Sequence, residues 1–187
     1  MKQQYSLDEL IKGCAAAKRE AQRMLYQVLA PKMLAICMRY AKDRHEAEDI
    51  LQIGFLKVYQ KAETFKGDGS AEGWIRRIMV NTAIEVYRKN QRMMNMTAIE
   101  EAYDSAQTTF SMDNLETKDL LRLIQQLPGV YKLVFNMYVI EGYSHKEIAE
   151  ELGISESSSK SQLFRARAIL REKLIKMEST DHAAAIR

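Results

Sequence analysis

The sequence predicts an all-α fold made of two helical domains joined by a flexible acidic linker. Among its 187 residues there are only two prolines and eight glycines, whereas Leu, Ala, Met, Lys, Glu and Arg are abundant. Those residues lose little side-chain entropy in a helix. No stretch alternates polar and apolar residues for long enough to predict a sheet. A hydrophobic content of 47% suffices for a packed core, which argues against global disorder.

The chain begins with a capped helix. Ser6 and Glu9 have the spacing of a capping box, so we expect this helix to start near Leu7. Apolar residues then recur at helical spacing over the next turns. Pro31 predicts a break or a new first turn, after which a second helix extends to about Tyr40.

Two amphipathic helices come next, separated by a loop. The third predicted helix runs from about Glu46 to Ala62, and its core stripe is Ala47, Leu51, Phe55, Val58 and Ala62. Three glycines fall within seven residues in the stretch Phe65–Gly73, which therefore predicts a loop. The fourth helix runs from Trp74 to about Gln91, and its core stripe is Ile75, Ile78, Met79, Thr82 and Val86.

An acidic segment separates these helices from a second helical group. It is low in hydrophobic periodicity and rich in Ser, Thr, Asp and Asn, which predicts a linker. Breaks at Pro128-Gly129, Gly142-Tyr143 and Gly153 divide the second group, whose helices are expected near 116–126, 130–141, 144–152 and 155–176. The resulting domains are 1–94, a linker at 95–115, 116–178, and a disordered tail at 179–187.

Several classes of function lack support in the sequence. The two cysteines are not part of a CxxC pair or a Cys/His cluster, and the histidines are scattered: Cys14, Cys37, His45, His145 and His182. The glycine-rich stretch does not follow a strand, so it does not predict a nucleotide-binding loop. We expect no catalytic residue, no metal, no cofactor and no small-molecule substrate. Without an apolar run of membrane-spanning length or a signal peptide, we expect a cytoplasmic protein with no membrane insertion.

Charge is unevenly distributed along the chain. Residues 157–177 contain six basic and one acidic side chain, and residues 74–92 contain five basic and one acidic. Between them, residues 95–119 contain six acidic side chains and one basic. Basic blocks of this kind favour an acidic partner such as nucleic acid, but ordinary solvated helix faces have the same pattern.

Residues 144–172 form a helix-turn-helix pattern. Ser144 and Glu147 predict a capped first helix, Gly153 predicts the turn, and Ser155 can cap the second helix. Small polar and basic side chains are then expected on the outside of the second helix: Ser157, Ser158, Lys160, Ser161, Gln162 and Arg165. A recognition helix in the major groove needs such side chains, which favours DNA binding over a plain helical hairpin with a solvated basic face. Arg167 would contact phosphate or pack on neighbouring helices.

Three stretches resemble parts of the sigma-70 family. LPGVYKLVFNMYVIEGYSHKEIAEELGISESSSKSQLFRARAILREKL (Leu127–Leu174) resembles region 4, and more narrowly that of the small extracytoplasmic-function (ECF) sigma factors. DRHEAEDILQIGFLKVYQKAETF (Asp43–Phe65) is similar to region 2.2 and the start of 2.3. GWIRRIMVNTAIEVYRKNQR (Gly73–Arg92) is similar to the end of region 2.3 and region 2.4. Two sets of motifs in the correct order are more specific than either alone.

The resemblance implies a non-enzymatic factor for transcription initiation. Region 2 of the family binds the clamp helices of core RNA polymerase and opens the −10 promoter element, and region 4 binds the −35 element and the polymerase flap. The expected partners are therefore core RNA polymerase, promoter DNA and an anti-sigma factor. The alternative is a free-standing repressor or activator with a C-terminal helix-turn-helix. A dimerising domain would need neither the acidic third helix nor the basic face of the fourth helix, whereas a polymerase-bound factor needs both.

The resemblance also assigns site residues. The clamp contact would involve Asp49, Gln52, Ile53 and Leu56, although Ile53 and Leu56 could instead be buried against a neighbouring helix. The −10 element would contact Lys66, Asp68, Trp74, Arg77, Asn81 and Arg88, with Ile84 on the same face. The loop Lys66–Gly73 would hold a flipped base, with a flexible connector and a core Trp74 as the alternatives. The −35 element would contact the outer residues of the second helix, Arg167 included.

One departure concerns the predicted recognition helix. Many relatives have a β-branched apolar residue where this chain has Ser159, at a position facing the core. We expect its hydroxyl to weaken packing slightly or to bond back to the helix backbone.

Overall fold

The computed structural model describes residues 5–97 and 121–185. The chain divides into two compact units, Met1–Ala106 and Gln107–Arg187. Every regular element in the described ranges is a helix, which confirms the all-α prediction. None of these helices is both long and apolar enough to cross a membrane. Residues 98–115 lie outside the described ranges, so the acidic linker stays a prediction.

The described part of the first unit contains four α-helices and one short 3₁₀ turn. In chain order they are α1 (Leu7–Ala15), α2 (Arg19–Tyr40), α3 (Arg44–Lys61), the turn Ala62–Thr64 and α4 (Ala71–Thr97). The predicted capping box is present at α1, where Ser6 Oγ accepts from the Glu9 amide at 3.2 Å. In return, Glu9 Oε2 accepts from the Ser6 amide at 2.8 Å.

The break between the first two helices lies earlier than the sequence predicted. Helix α1 ends at Ala15, and Ala17 adopts a positive φ of 53° before α2 begins. The two helices approach closely, since a Cβ on Gly13 would lie 2.5 Å from the Ala21 Cβ. Packing of α1 against α2 outweighs the cost of a non-glycine residue in the left-handed region, about 1–2 kcal/mol.

The predicted break at Pro31 is wrong, because α2 continues through it. Proline in a helix interior removes one hydrogen bond and costs about 3 kcal/mol. Here Leu29 and Met33 lie on either side of Pro31, are fully buried and continue one apolar stripe. Full burial of each such side chain contributes about 1.5–3 kcal/mol, which is enough to offset the proline.

Helices α3 and α4 pack closely in the core of the first unit. Asp43 caps α3 by accepting from the Glu46 amide at 2.8 Å. All five residues of the predicted α3 stripe are buried. Gly54 of α3 lies directly against Met79 of α4, because an added Cβ would overlap the Met79 sulfur. Any larger residue at position 54 would therefore force the buried Met79 side chain to move.

The second unit ends in a long helix. Its described elements are α5 (residues 121–125), α6 (Gly129–Phe135), a π-helical turn (Asn136–Ile140), α7 (His145–Leu152) and α8 (Glu156–Ala185). The sequence predicted one helix near 130–141, and the structure has a continuous helical stretch from Gly129 to Ile140 whose last five residues are π-helical. It also predicted a disordered tail from residue 179, whereas α8 continues to Ala185.

One hydrophobic cluster fixes α8 in the second unit. Leu123, Ile124 and Leu127 pack with Ala166 and Leu170 of α8. The buried side chains of α8 therefore lie on one stripe, which leaves the opposite side of its first turns facing outward.

Candidate nucleic-acid interface

The helix-turn-helix predicted from the sequence is present in α7 and α8. Ser144 Oγ accepts from the Glu147 amide at 3.2 Å, and Glu147 Oε2 accepts from the Ser144 amide at 2.9 Å. Gly153 ends α7 in the left-handed conformation, with φ 65° and ψ 37°. Ser155 Oγ then accepts from the Ser158 amide at 3.1 Å at the start of α8. Both caps and the turn glycine are confirmed.

Most of the predicted recognition residues lie on the outside of α8. The exposed ones are Ser157, Lys160, Ser161, Arg165 and Arg167, and Ser158 is half-buried. Gln162 differs from expectation, because it is half-buried and its Oε1 is buried without a hydrogen-bond partner among the described residues. Gln162 precedes buried Leu163 and therefore lies at the edge of the core stripe. This carboxamide is turned away from the face that the sequence assigned to it.

The structure adds Phe164 to this face. Its side chain is 75% exposed, one turn after Lys160 and Ser161. Buried Ser159, Leu163 and Ala166 define the opposite side of the helix. Spacing relative to that stripe was available in the sequence and could have identified Phe164 as an outward aromatic.

Two arginines of α8 are held by neighbouring aromatic residues. Arg165 Nη1 donates to the Tyr131 hydroxyl at 3.4 Å. The Arg167 guanidinium carbon lies 5.9 Å from the centre of the Tyr138 ring, a cation–π distance. Both arginines remain exposed, so each can also donate to a phosphate.

Ser159 has a side-chain partner rather than the backbone bond considered from the sequence. It is fully buried, and its Oγ lies 2.9 Å from His145 Nδ1 on α7. Burial lowers the pKa of His145 below its usual 6.5, and the nearby Lys160 and Arg167 lower it further, against an opposite effect from Glu156. The neutral imidazole is therefore favoured in the folded chain.

A second surface lies on α3 of the first unit. Asp49, Gln52, Ile53 and Leu56 are all exposed, and Leu56 is 59% accessible. The alternative that Ile53 and Leu56 are buried against a neighbouring helix is therefore wrong. Helix α3 has two distinct stripes, one inside the core and one that combines acidic, amide and apolar groups on the outside.

The predicted −10 face of α4 is only partly outward. Arg77 is exposed, whereas Trp74, Asn81 and Arg88 are half-buried. Ile84 was expected on this face but is buried, at 1% exposure. Because α4 packs against both α2 and α3, its buried arc is wider than the predicted stripe and includes Ile84.

The loop before α4 places two charged side chains in solvent. Lys66 and Asp68 are exposed, and Gly67 and Gly69 have positive φ values of 78° and 106°. The Trp74 ring packs against Phe65 with a centroid distance of 5.3 Å. Half-buried Trp74 is thus neither a core residue nor a free surface aromatic.

The described residues contain no group of His, Cys, Asp and Glu side chains that could hold a metal ion. Cys14 and Cys37 are buried thiols, and burial raises the pKa of Cys37 to about 12. A thiol with such a pKa is protonated at neutral pH and is a poor nucleophile.

Comparison with known proteins extends these observations. The family model for sigma-70 region 2 matches residues 25–93, and that for sigma-70 region 4 matches residues 117–170. The chain is 28% identical to the ECF RNA polymerase sigma factor SigE of Mycolicibacterium smegmatis, over 80% of this chain and 60% of that relative. It is 30% identical to the RNA polymerase sigma factor SigZ of Bacillus subtilis, over 71% of this chain and 74% of that protein.

One solved structure supports the fold. The sigma factor RpoE of Bartonella quintana, crystallised with the anti-sigma factor NepR, aligns with a TM-score of 0.52 and 20% identity. The alignment covers 81% of this chain and 95% of that one. Because both regions match in their family order and SigZ is matched over most of its length, the chain belongs to the sigma-70 family and, with relatives such as SigE, to its ECF group of alternative sigma factors.

Proposed function

We propose that this chain binds core RNA polymerase, directs it to specific promoters and promotes DNA melting there. The observation that supports the proposal most is the exposed polar and basic face of α8, set on a capped helix-turn-helix within the matched region 4. Such a face is suited to duplex DNA, because its first turns can enter the major groove.

The −35 element is assigned to the outer face of α8. Lys160 and Arg165 are exposed and basic, so they can contact phosphates or guanine edges. Phe164 offers an apolar surface of the kind that contacts the methyl group of thymine. Gln162 contributes less than the sequence suggested, because its carbonyl oxygen is buried. The assigned set is Ser157, Ser158, Lys160, Ser161, Phe164, Arg165 and Arg167.

The outer stripe of α3 is assigned to the polymerase clamp helices. An amphipathic surface with apolar groups at its centre and polar groups beside them is typical of helix-to-helix recognition. Ile53 and Leu56 provide the apolar part, and Asp49 and Gln52 provide the polar part. Nothing within the described first unit covers these side chains, so they are available to a partner.

The −10 element is assigned to the loop before α4 and to the first turns of that helix. Single-stranded DNA binds to aromatic side chains on which bases stack and to basic side chains that contact phosphates. Phe65 and Trp74 form an aromatic pair beside exposed Lys66 and Arg77. Asn81 and Arg88 lie further along α4 and are half-buried, so their contacts with DNA require some movement of the side chains.

We also propose the wider setting of this function. The relative from Bartonella quintana is held by an anti-sigma factor, which supports an anti-sigma factor as a partner of this chain. The named relatives are sigma factors rather than enzymes, which supports the absence of catalysis by this chain. Its site of action is the bacterial cytoplasm, where RNA polymerase transcribes.

One experiment tests the function as a whole. The purified chain is mixed with bacterial core RNA polymerase, and the complex is isolated and used for run-off transcription from genomic fragments. We expect stable co-purification and discrete transcripts that require both components. Nanomolar, sequence-specific binding by the free chain, with no transcript in the presence of polymerase, would instead support a free-standing repressor or activator.

A further inference from the structure

Four side chains form a connected path that begins and ends on α8. Ser159 of α8 bonds to His145, the first residue of α7, at 2.9 Å. The His145 ring stacks on Tyr138 of the π-helical turn, with centroids 4.4 Å apart and planes at 23°. Tyr138 in turn faces the guanidinium of Arg167, two turns further along α8. The path links three elements through side chains alone.

The hydrogen bond between Ser159 and His145 offsets the cost of burying the Ser159 hydroxyl. Ser159 is fully buried, and a buried hydroxyl without a partner costs about 1–3 kcal/mol. His145 Nδ1 satisfies it from the neighbouring helix, so the bond also fixes the distance between α7 and α8. Because Ser159 lies one residue before Lys160, this restraint acts directly beneath the exposed face of α8.

At the other end of the path, the Tyr138 ring restrains the guanidinium of Arg167. Arg167 is exposed, and its guanidinium lies over the Tyr138 ring rather than free in solvent. A planar guanidinium can stack on an aromatic ring and still donate its N–H groups to phosphate. An arginine held in this way loses less side-chain entropy when it binds.

We propose that His145 and Tyr138 are positioning residues for −35 recognition. His145 holds the first turns of α8 through Ser159, and Tyr138, held by the His145 ring, presents Arg167 to a phosphate of the DNA backbone. The inference rests on the proposed function, because it assumes that α8 binds duplex DNA.

The test uses holoenzyme assembled from the full chain and core polymerase, with closed-complex affinity for duplex promoter DNA measured over a series of salt concentrations. Arg167→Ala should weaken binding and lower the salt slope by about one, since one phosphate contact is lost. Tyr138→Leu should weaken binding about two- to ten-fold with the slope unchanged, since only the ordering of Arg167 is lost. Tyr138→Phe keeps the ring and should bind as the unmodified chain does.

Combined variants separate positioning from general stability. In the Arg167→Ala background, Tyr138→Leu should cause no further loss, because there is no guanidinium left to position. A loss that persists in that background would show a merely structural role and overturn the proposal.

His145→Phe keeps the stacked ring but leaves Ser159 without its partner, so it should weaken binding. His145→Phe with Ser159→Ala should restore it, because both polar partners are then removed, and failure of this rescue would also count against the proposal.

Lys160→Ala distinguishes failure of this inference from failure of the proposed function. If Lys160→Ala and Arg167→Ala both leave promoter affinity and salt slope unchanged, α8 does not bind the −35 element. If Lys160→Ala weakens binding but Tyr138→Leu does not, only the positioning role is wrong.

Discussion

At the scale of single residues, polar groups at core positions distinguish this chain from a simple amphipathic pattern. Ser159 lies on the buried stripe of α8, and its hydroxyl is accommodated by His145 from the next helix. Gln162 lies at the edge of that stripe with a buried carbonyl oxygen. The bond between Ser159 and His145 could not be predicted from the sequence, because it depends on how α7 packs against α8. Outward Phe164 was predictable from spacing alone.

A pH dependence of stability is expected from His145. Its pKa is lower in the folded chain than the usual 6.5, mainly because of burial, so the unfolded chain binds the proton more tightly. The contribution of neutral His145 to the stability of the folded chain is therefore fully present above pH 6.5. It is lost as the pH falls through the folded-state pKa. Thermal unfolding between about pH 7.5 and about pH 5.5 should show a larger fall in Tm for the unmodified chain than for His145→Asn. Equal falls would mean that His145 does not titrate differently on folding.

At the scale of helices, local sequence predicted the capped N-termini better than the breaks between helices and the width of their buried faces. The capping boxes at Ser6 and Ser144 and the turn at Gly153 are confirmed, because each depends on interactions within a few residues. The predicted break at Pro31 is wrong, because burial of the apolar residues on either side of it keeps α2 continuous. Ile84 was misjudged because α4 is packed on two sides, which a single stripe does not indicate.

The contact between α3 and α4 gives a prediction at this scale. Gly54→Ala should destabilise the chain by about 1–3 kcal/mol, because the added methyl group overlaps buried Met79. Gly73→Ala is the matched control, since its Cβ would be 3.6 Å from the nearest atom, within a helix that favours alanine. Chemical denaturation of both variants measures the difference. Unchanged stability of Gly54→Ala would contradict the close approach of the two helices.

The outer stripe of α3 gives a second prediction. The double variant Asp49→Ala and Gln52→Ala should bind core polymerase less tightly, while its helicity and Tm stay nearly unchanged, because both side chains are exposed and outside the core. Affinity for fluorescently labelled core enzyme and circular dichroism provide the two measurements. Arg44 and Glu48 form an exposed ion pair near the start of the same helix, so Glu48→Ala is a suitable control. Normal holoenzyme assembly by the double variant would remove the clamp assignment.

At the scale of the whole molecule, two units with different exposed surfaces lie in one chain. The fold class, the division into two units and the helix-turn-helix were all accessible from composition, periodicity and capping residues. The outer stripe of α3 could be assigned to the polymerase clamp helices only through the family resemblance. Its exposure became evident only from the way α3 packs in the structure. A promoter-binding factor with these two units should bind duplex DNA weakly when free, because each unit offers few phosphate contacts. Core polymerase should strengthen promoter binding, because it joins the two units on one scaffold.

The two units are expected to divide promoter recognition, with the second binding duplex DNA and the first binding melted DNA. Permanganate reactivity of −10 thymines on duplex promoters, combined with transcription from pre-melted promoters, tests this division most directly. On duplex DNA, Lys160→Ala should fail at closed binding, whereas Asn81→Ala should bind and fail to open the strands. A pre-melted bubble should restore transcription to Asn81→Ala and not to Lys160→Ala. If both variants fail at the same step and neither recovers on the bubble, the division of labour between the two units is contradicted.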